Sequence, residues 1–477
     1  MNINRYIKSP ANNRYFWLWL FCCALFIRFP FFFRDYIDKD ESTFILMGQA
    51  WAEGHLPYTY LWDLKPPLTF GYFAGIISLF GKSFFWIRLG GVLLVSFTAY
   101  TVYLIAIKNK VRREWAALMS FLSLLFSSLF GSVQGVMSEH ISMLFFMGAV
   151  YLLLLKKIKI GYYFLAGLLL GFSAMTKLNL AYAILLLGAY ITFKEIKQRP
   201  SFYSLKKTLA LAIGGALGVG ITAMPYLFKA SLQIWWASVF LASGSYAQIN
   251  GSNSLVLLPL IIGILAYIIW RKNSTISLIG LALIGVLGSF IMAGKLNGHY
   301  LLQAYPLFFL LLAIGFKNKQ LDLPRWSLVF LLLLPVESYL EYQNVFTNYQ
   351  EKGHLYNGEG VDIPDYLAAQ HPSVRNILFL EYHIGYWLLG QKPLSMAVTH
   401  PSNLFRERLF PYFNPRKTSQ EELEHLLNFE KPGAIVIDKK HSLFKNYPAE
   451  KAFFESQLAA FYTRDTLIGK GVVYLRK

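Results

Sequence analysis

Asp40 and Glu41 stand side by side in "DKDESTFILMGQAW", and about 25 residues later "YTYLWDLKPPL" sets Asp63 and Lys65 against Pro66-Pro67. A residue before proline is held extended, and proline suits the first turn of a helix, so Pro66-Pro67 reads as an extended entry into a new helix. The start of a helix offers free backbone N–H groups to an anion. Lys65, immediately before it, adds a full positive charge. Together they make a phosphate seat. Asp40 and Glu41 open a second helix and offer a carboxylate that can take a proton from an attacking hydroxyl. A phosphate leaving group needs little protonation when cations absorb its charge. One base without a covalent intermediate inverts the carbon under attack. This chemistry suits sugar transfer from a lipid-linked phosphate donor.

Other polar residues gather beside these two motifs. Glu139-His140 lies in "VMSEHISM", and His299-Tyr300 in "KLNGHYLL". Lys177 and Lys295 join Lys65 as cations for a donor phosphate, with Pro66 shaping the seat. Glu139 is an acid at the outer mouth of a span. Asp38, Asp63, Tyr58, His140, His299 and Tyr300 are candidates for substrate contact. Simpler roles compete with each: acids opening a helix favour its dipole, and an interfacial lysine can snorkel. Asp38 rivals Asp40, but a helix beginning near Asp40 leaves Asp38 outside it and solvated.

The elements that must hold these residues are apolar. The chain has 477 residues, 55% of them hydrophobic, with long apolar runs through its first two-thirds. That places it among multispanning membrane proteins. Of the formal charge of +19, residues 1–340 carry +18, from 29 Lys/Arg against 11 Asp/Glu. The excess sits in short loops between apolar segments, so topology accounts for it and a nucleic-acid partner does not. Cys22 and Cys23 are adjacent and form no structural crosslink. The run 15–33 follows a basic N-terminus without a small-residue cleavage site, and reads as a retained span.

Candidate spans are 15–33, 84–107, 115–131, 139–155, 161–175, 179–194, 208–228, 254–270, 276–294, 300–316 and 325–340, about 11 transmembrane helices. Segment 68–80 is apolar too, but charge parity between the loops makes it a juxtamembrane helix along the outer interface. The loops then assigned inside hold 20 Lys/Arg, against 7 in the outer segments through residue 295. The N-terminus is accordingly cytoplasmic, and residues 341–477 lie outside, in the periplasm of a bacterial cell. Six of the 11 acids before residue 341 fall in the first outer loop, 34–83. The tail reads as an α/β domain, with strands at 376–380, 434–438 and 472–476 and helices at 362–370, 418–429 and 448–462, capped by Asp362 and Ser419 in the first two. The domains are therefore a membrane domain, 1–340, and an extracytoplasmic α/β domain, 341–477.

The stretch 40–81, with "DE" opening a juxtamembrane helix and "KPPL" a few dozen residues later, resembles the first outer loop of the GT-C integral-membrane glycosyltransferases. It is most similar to the protein O-mannosyltransferase and lipid A aminoarabinose transferase group. The resemblance covers the membrane half well and the tail in general layout. It implies that Asp40 is the catalytic carboxylate, that Lys65 faces the donor phosphate, and that Glu139 matches a second acid in the next outer loop. The donor it implies is a dolichyl- or polyprenyl-phosphate sugar, and the acceptor a hydroxyl on a lipid, glycan or protein. The aminoarabinose enzymes carry a metal-associated glutamate immediately before the lysine. Here Leu64 holds that position, with Asp63 one further back. No cofactor is demanded, though room for a divalent metal is left open. Alternatives are a flippase or transporter of lipid-linked sugars, or an oligosaccharide ligase using a diphosphate donor. Transporters carry ionisable groups near the membrane midplane and repeated halves. In this chain the acids collect at one rim and no repeat is visible.

Overall fold

The computed structural model describes residues 13–35, 37–155, 159–198, 205–247, 253–294, 296–320 and 329–477. The chain forms two compact units. One is built from Met1–Pro30, Ile87–Met224 and Ala247–Leu340, the other from Phe31–Trp86, Pro225–Tyr246 and Glu341–Lys477.

The first unit is helical. Five helices among the described residues have the length and apolarity to cross a membrane: Tyr15–Phe33, Phe84–Lys108, Leu178–Gln198, Lys206–Phe228 and Ser274–Met292. Shorter apolar helices, Ser138–Leu153, Ile160–Ala174, Leu255–Arg271 and Tyr305–Gly315, occupy other expected spans. The expected span 325–340 falls partly on residues 321–328, outside the described residues. Large apolar side chains such as Leu185, Ile213 and Ile269 are exposed on these helices, as a lipid-facing surface requires.

Small residues let two of these helices touch through their backbones. Gly167, on Ile160–Ala174, faces Leu211 and Gly215 of Lys206–Phe228 so closely that a Cβ there would collide with the Leu211 carbonyl. Membrane helices, with no hydrophobic drive toward each other, depend on such close packing. Gly167→Val is expected to cost about 1–3 kcal/mol of stability through overpacking. The check is a lower thermal aggregation temperature of the purified variant.

The second unit combines the first loop with the tail. Its helices Lys39–Ala52 and Pro67–Phe80 cross where Gly48 meets the Cβ of Phe73, at 2.5 Å from an added methyl. The expected segment 68–80 is thus helical. The tail holds a four-stranded sheet: β1 (Ile377–Phe379), β2 (Ala434–Asp438), β3 (Tyr462–Ile468) and β4 (Gly471–Arg476), in the order β1-β2-β4-β3. β1 runs parallel to β2, with Leu378 opposite Ile435. β4 is antiparallel to both of its neighbours, with Val436 opposite Val473. Leu378, Leu423, Ile435, Ile437, Phe454 and Leu458 are buried in its core.

Three details correct the sequence reading. β3 was not expected. The helix expected from Asp362 begins at Glu359 behind Gly358, and the cap of the Ser419–Glu424 helix is Thr418, whose hydroxyl accepts from Glu421 N. Adjacent hydroxyl residues compete for one cap, and only one adopts the extended backbone it needs.

Loop and tail are fastened together within this unit. Lys39 Nζ lies 2.7 Å from Glu381 Oε2, and Trp387 Nε1 donates to Gln49 Oε1 at 3.0 Å. Asp35 N donates to the Asn357 carbonyl, and the Asp35 carboxylate accepts from Gly360 N.

Candidate functional site

Asp38 is the N-cap of the Lys39–Ala52 helix, and its Oδ1 accepts from Asp40 N at 2.8 Å. It is an ordered cap, in contrast to the solvated rival expected from the sequence. The cap places Asp40 in the first turn, where a carboxylate also favours the helix dipole. Glu41 is turned into the unit and is 1% exposed.

Lys65 is positioned by its own neighbours. Pro66 is extended (φ −63°, ψ 158°) and Pro67 begins the Pro67–Phe80 helix, as expected. Tyr58 Oη donates to the Lys65 carbonyl at 2.6 Å, and buried Asp63 accepts from Lys65 N at 3.4 Å. The Lys65 stem passes the Phe44 ring, with the ammonium 5.3 Å from its centroid. Tyr58 and Asp63, expected as substrate contacts, therefore hold the backbone that carries Lys65.

Asp40 and Lys65, 25 residues apart, meet: Nζ to Oδ2 is 3.0 Å. Both side chains keep some exposure, 18% for Asp40 and 17% for Lys65, so a substrate can reach them. The other carboxylate oxygen is held from the tail, because Asp40 Oδ1 lies 3.2 Å from His400 Nε2. His400 Nδ1 accepts from Ser402 N at 3.2 Å. A nitrogen that accepts carries no proton, so the proton sits on Nε2 and His400 donates to Asp40. The His400 ring caps the short helix Pro401–Phe405, which fixes its direction. Asp40 is thus gripped at one oxygen by an ammonium and at the other by an imidazole N–H.

Behind His400 lies a second buried histidine. His383 Nε2 is 2.9 Å from Thr43 Oγ1, and its ring centroid is 6.1 Å from that of His400. Burial, then the neighbouring His400 and the Lys39 ammonium, hold its pKa well below the usual histidine range. The folded unit therefore keeps His383 neutral, while the unfolded chain takes up a proton there below about pH 6.5. Stability contributed by a neutral His383 is expected to fall as pH drops below about 6.5, by up to about 1.4 kcal/mol per pH unit. Thermal unfolding between pH 7.5 and 5.0 checks this. His383→Gln should flatten the dependence.

The remaining expected residues form a second group, in the helical unit. Glu139 is fully buried in the first turn of Ser138–Leu153, with Oε1 2.6 Å from Lys177 Nζ and 4.0 Å from His299 Nε2. Ser138 Oγ donates to Oε2 at 3.0 Å, and Tyr300 places its ring under the Lys177 ammonium, 4.9 Å away. His140 is a fastener: Nδ1 accepts from Met137 N and Nε2 faces the Ser127 carbonyl at 3.0 Å. Lys295 lies outside the described residues.

The structure thus brings Asp40 to Lys65 in one unit and Glu139 to Lys177, His299 and Tyr300 in the other. His400 and His383 were not singled out from the sequence. Each is a lone histidine far along the chain, with no local spacing to mark it. Among the described residues no group of three or more His, Cys, Asp or Glu side chains is placed to hold a metal ion.

Residues 64–224 match the family of dolichyl-phosphate-mannose-protein mannosyltransferases. No curated protein sequence matches the chain. Among solved structures, ArnT from Cupriavidus metallidurans bound to undecaprenyl phosphate is similar, with a TM-score of 0.64 and 15% identity over 97% of this chain and 98% of that one. The oligosaccharyltransferase of Archaeoglobus fulgidus, in its apo form, aligns with a TM-score of 0.45 and 11% identity, over 90% of this chain and 70% of that one. The family match begins at the "LKPP" stretch, and the ArnT-like fold runs the length of the chain. Over residues 64–224 the chain is therefore similar in sequence to the dolichyl-phosphate-mannose-protein mannosyltransferases, and over its length it has a fold like that of ArnT.

Proposed function

We propose that the protein transfers a hexosyl or pentosyl group from a polyprenyl-phosphate donor to a hydroxyl on a lipid, glycan or protein acceptor. The observation that carries this reading is the 3.0 Å pair of Asp40 and Lys65, which joins the two motif residues the chemistry needs. Asp40 takes the acceptor's proton as the new bond to the anomeric carbon forms. The bond from that carbon to the phosphate oxygen breaks, and the polyprenyl phosphate leaves toward Lys65 and the start of the Pro67–Phe80 helix. A single displacement inverts the carbon. The family match and the ArnT-like fold support the donor class, since the relative of known structure holds undecaprenyl phosphate.

The ion pair also supports an order of events. While Lys65 grips Asp40, the carboxylate is a poor base. A donor phosphate competes for the ammonium and releases Asp40 Oδ2, so base and donor arrive together. His400 keeps Oδ1 fixed during this exchange. Glu139 and Lys177 supply a second carboxylate and cation for the substrates. By the bias of the basic loops, the chain is multi-pass in the bacterial inner membrane, with its tail on the periplasmic side.

Two experiments test this. Membranes containing the protein are supplied with radiolabelled sugars on polyprenyl monophosphate and polyprenyl diphosphate. Consumption of a monophosphate donor is expected. Consumption of diphosphate donors alone would replace the reading with an oligosaccharide ligase, and label moved across the membrane without leaving its carrier would indicate a transporter. His400→Ala is expected to lower kcat about 10-fold with little change in donor KM, since His400 positions the base and does not touch the phosphate. His400→Gln, which keeps an N–H donor, should recover part of the loss.

A further inference from the structure

At the end of the helical unit where the basic loops gather, five helix ends enclose a cavity of about 240 Å³. Its walls include Tyr163, Tyr190, Lys194, Glu195, Gln198 and Lys207. Lys194 Nζ stands 5.1 Å over the Tyr190 ring, and Lys207 Nζ 5.7 Å over the Tyr163 ring. Neither ammonium has a carboxylate partner among the described residues. The one carboxylate in the wall, on Glu195, is already engaged. Its oxygens accept from Lys207 N at 3.0 Å, Thr208 N at 2.9 Å and Thr208 Oγ1 at 2.8 Å. The cavity therefore offers two cations beside aromatic rings against the single charge of Glu195, a net positive site that suits a phosphate group.

The surroundings select the source of that phosphate. Ile160, Phe193, Ile196 and Leu209 flank these residues on the same helices and are about half exposed or more, with Phe193 at 62%. A ligand seated here would have apolar surface beside its charge. We infer that this cavity binds the phosphate headgroup of an anionic phospholipid, with the acyl chains against the exposed apolar side chains. The site lies among the basic loops that the sequence assigns to the cytoplasmic side, and it does not depend on the proposed transfer chemistry.

The test uses the full-length protein purified in detergent with defined lipids, and native mass spectrometry to count what stays bound. Wild type is expected to retain phosphatidylglycerol over phosphatidylcholine. Removing a lysine near a phosphate costs roughly 5-fold in affinity, so K194Q/K207Q should lose about 25-fold. The single variants, each losing about 5-fold, carry the test should the double variant fail to fold. K272Q, at the same end but outside the cavity, should leave the preference unchanged. Equal retention of the two lipids by wild type, or an equal loss in K272Q, would overturn the site. Millimolar inorganic phosphate occupying the cavity without any lipid preference would overturn the lipid as its source.

Discussion

Asp40→Asn is expected to reduce sugar transfer by about 10³- to 10⁴-fold, at the upper end of what a general base contributes. The substitution is nearly isosteric. An asparagine in the first turn still accepts a hydrogen bond from His400 Nε2 through its amide oxygen, and Asp38 still caps the helix at residue 40. What is lost is the site for the proton. Lys65 loses the carboxylate charge that competes with the phosphate for it, so donor binding should persist or tighten while turnover collapses. A kcat loss with an unchanged or lower donor KM is the signature. A loss confined to KM would mean that Asp40 binds substrate and takes no proton. The readout is label transfer in proteoliposomes at saturating donor, with expression matched to wild type.

The second large effect falls on Lys65. Lys65→Met removes the cation that meets the leaving phosphate and is expected to lower kcat/KM by about 10²- to 10³-fold. It also takes from Asp40 the charge bonded to Oδ2 at 3.0 Å. The two effects differ in their readout, because the lost phosphate contact raises donor KM and the lost leaving-group stabilisation lowers kcat. Lys65→Arg separates charge from geometry. A guanidinium can bind a carboxylate through two N–H groups and hold it harder than an ammonium does. The arginine variant should therefore restore donor binding while leaving much of the kcat defect, because Asp40 is released less readily. Full recovery by arginine would argue against an exchange between carboxylate and phosphate.

The first loop was legible because its signals are local. Pro66-Pro67 marks a helix start whatever the chain does elsewhere, and the acids of "DKDE" mark another. Asp40 and Lys65 could be paired in function before their 3.0 Å contact was known, since each stands at such a start. β1, β2 and β4 were legible as short apolar runs. β3 was not, because "YTRDTLI" is an edge strand whose Arg464 and Asp465 face solvent, and charged edges hide the apolar pattern. His400 could not be read at all. Its contact with Asp40 spans 360 residues, and only the folding of the tail onto the loop brings the two together. The tautomer that makes His400 a donor depends further on Ser402 N, a backbone group with no sequence signature. Roles set by local turns could be read from the sequence. Roles set by long-range packing waited for the structure.

The most direct measurement is a single-turnover transfer from a radiolabelled polyprenyl-monophosphate sugar by the wild type and Asp40→Asn, each reconstituted in proteoliposomes at matched amounts. Donor binding is followed separately in the same vesicles. The account predicts that both proteins bind the donor, that the wild type releases the label from its carrier, and that the variant releases it at least about 10³-fold more slowly. Transfer by Asp40→Asn at the wild-type rate would contradict the assignment of Asp40 as the base and remove the central role given to the Asp40–Lys65 pair.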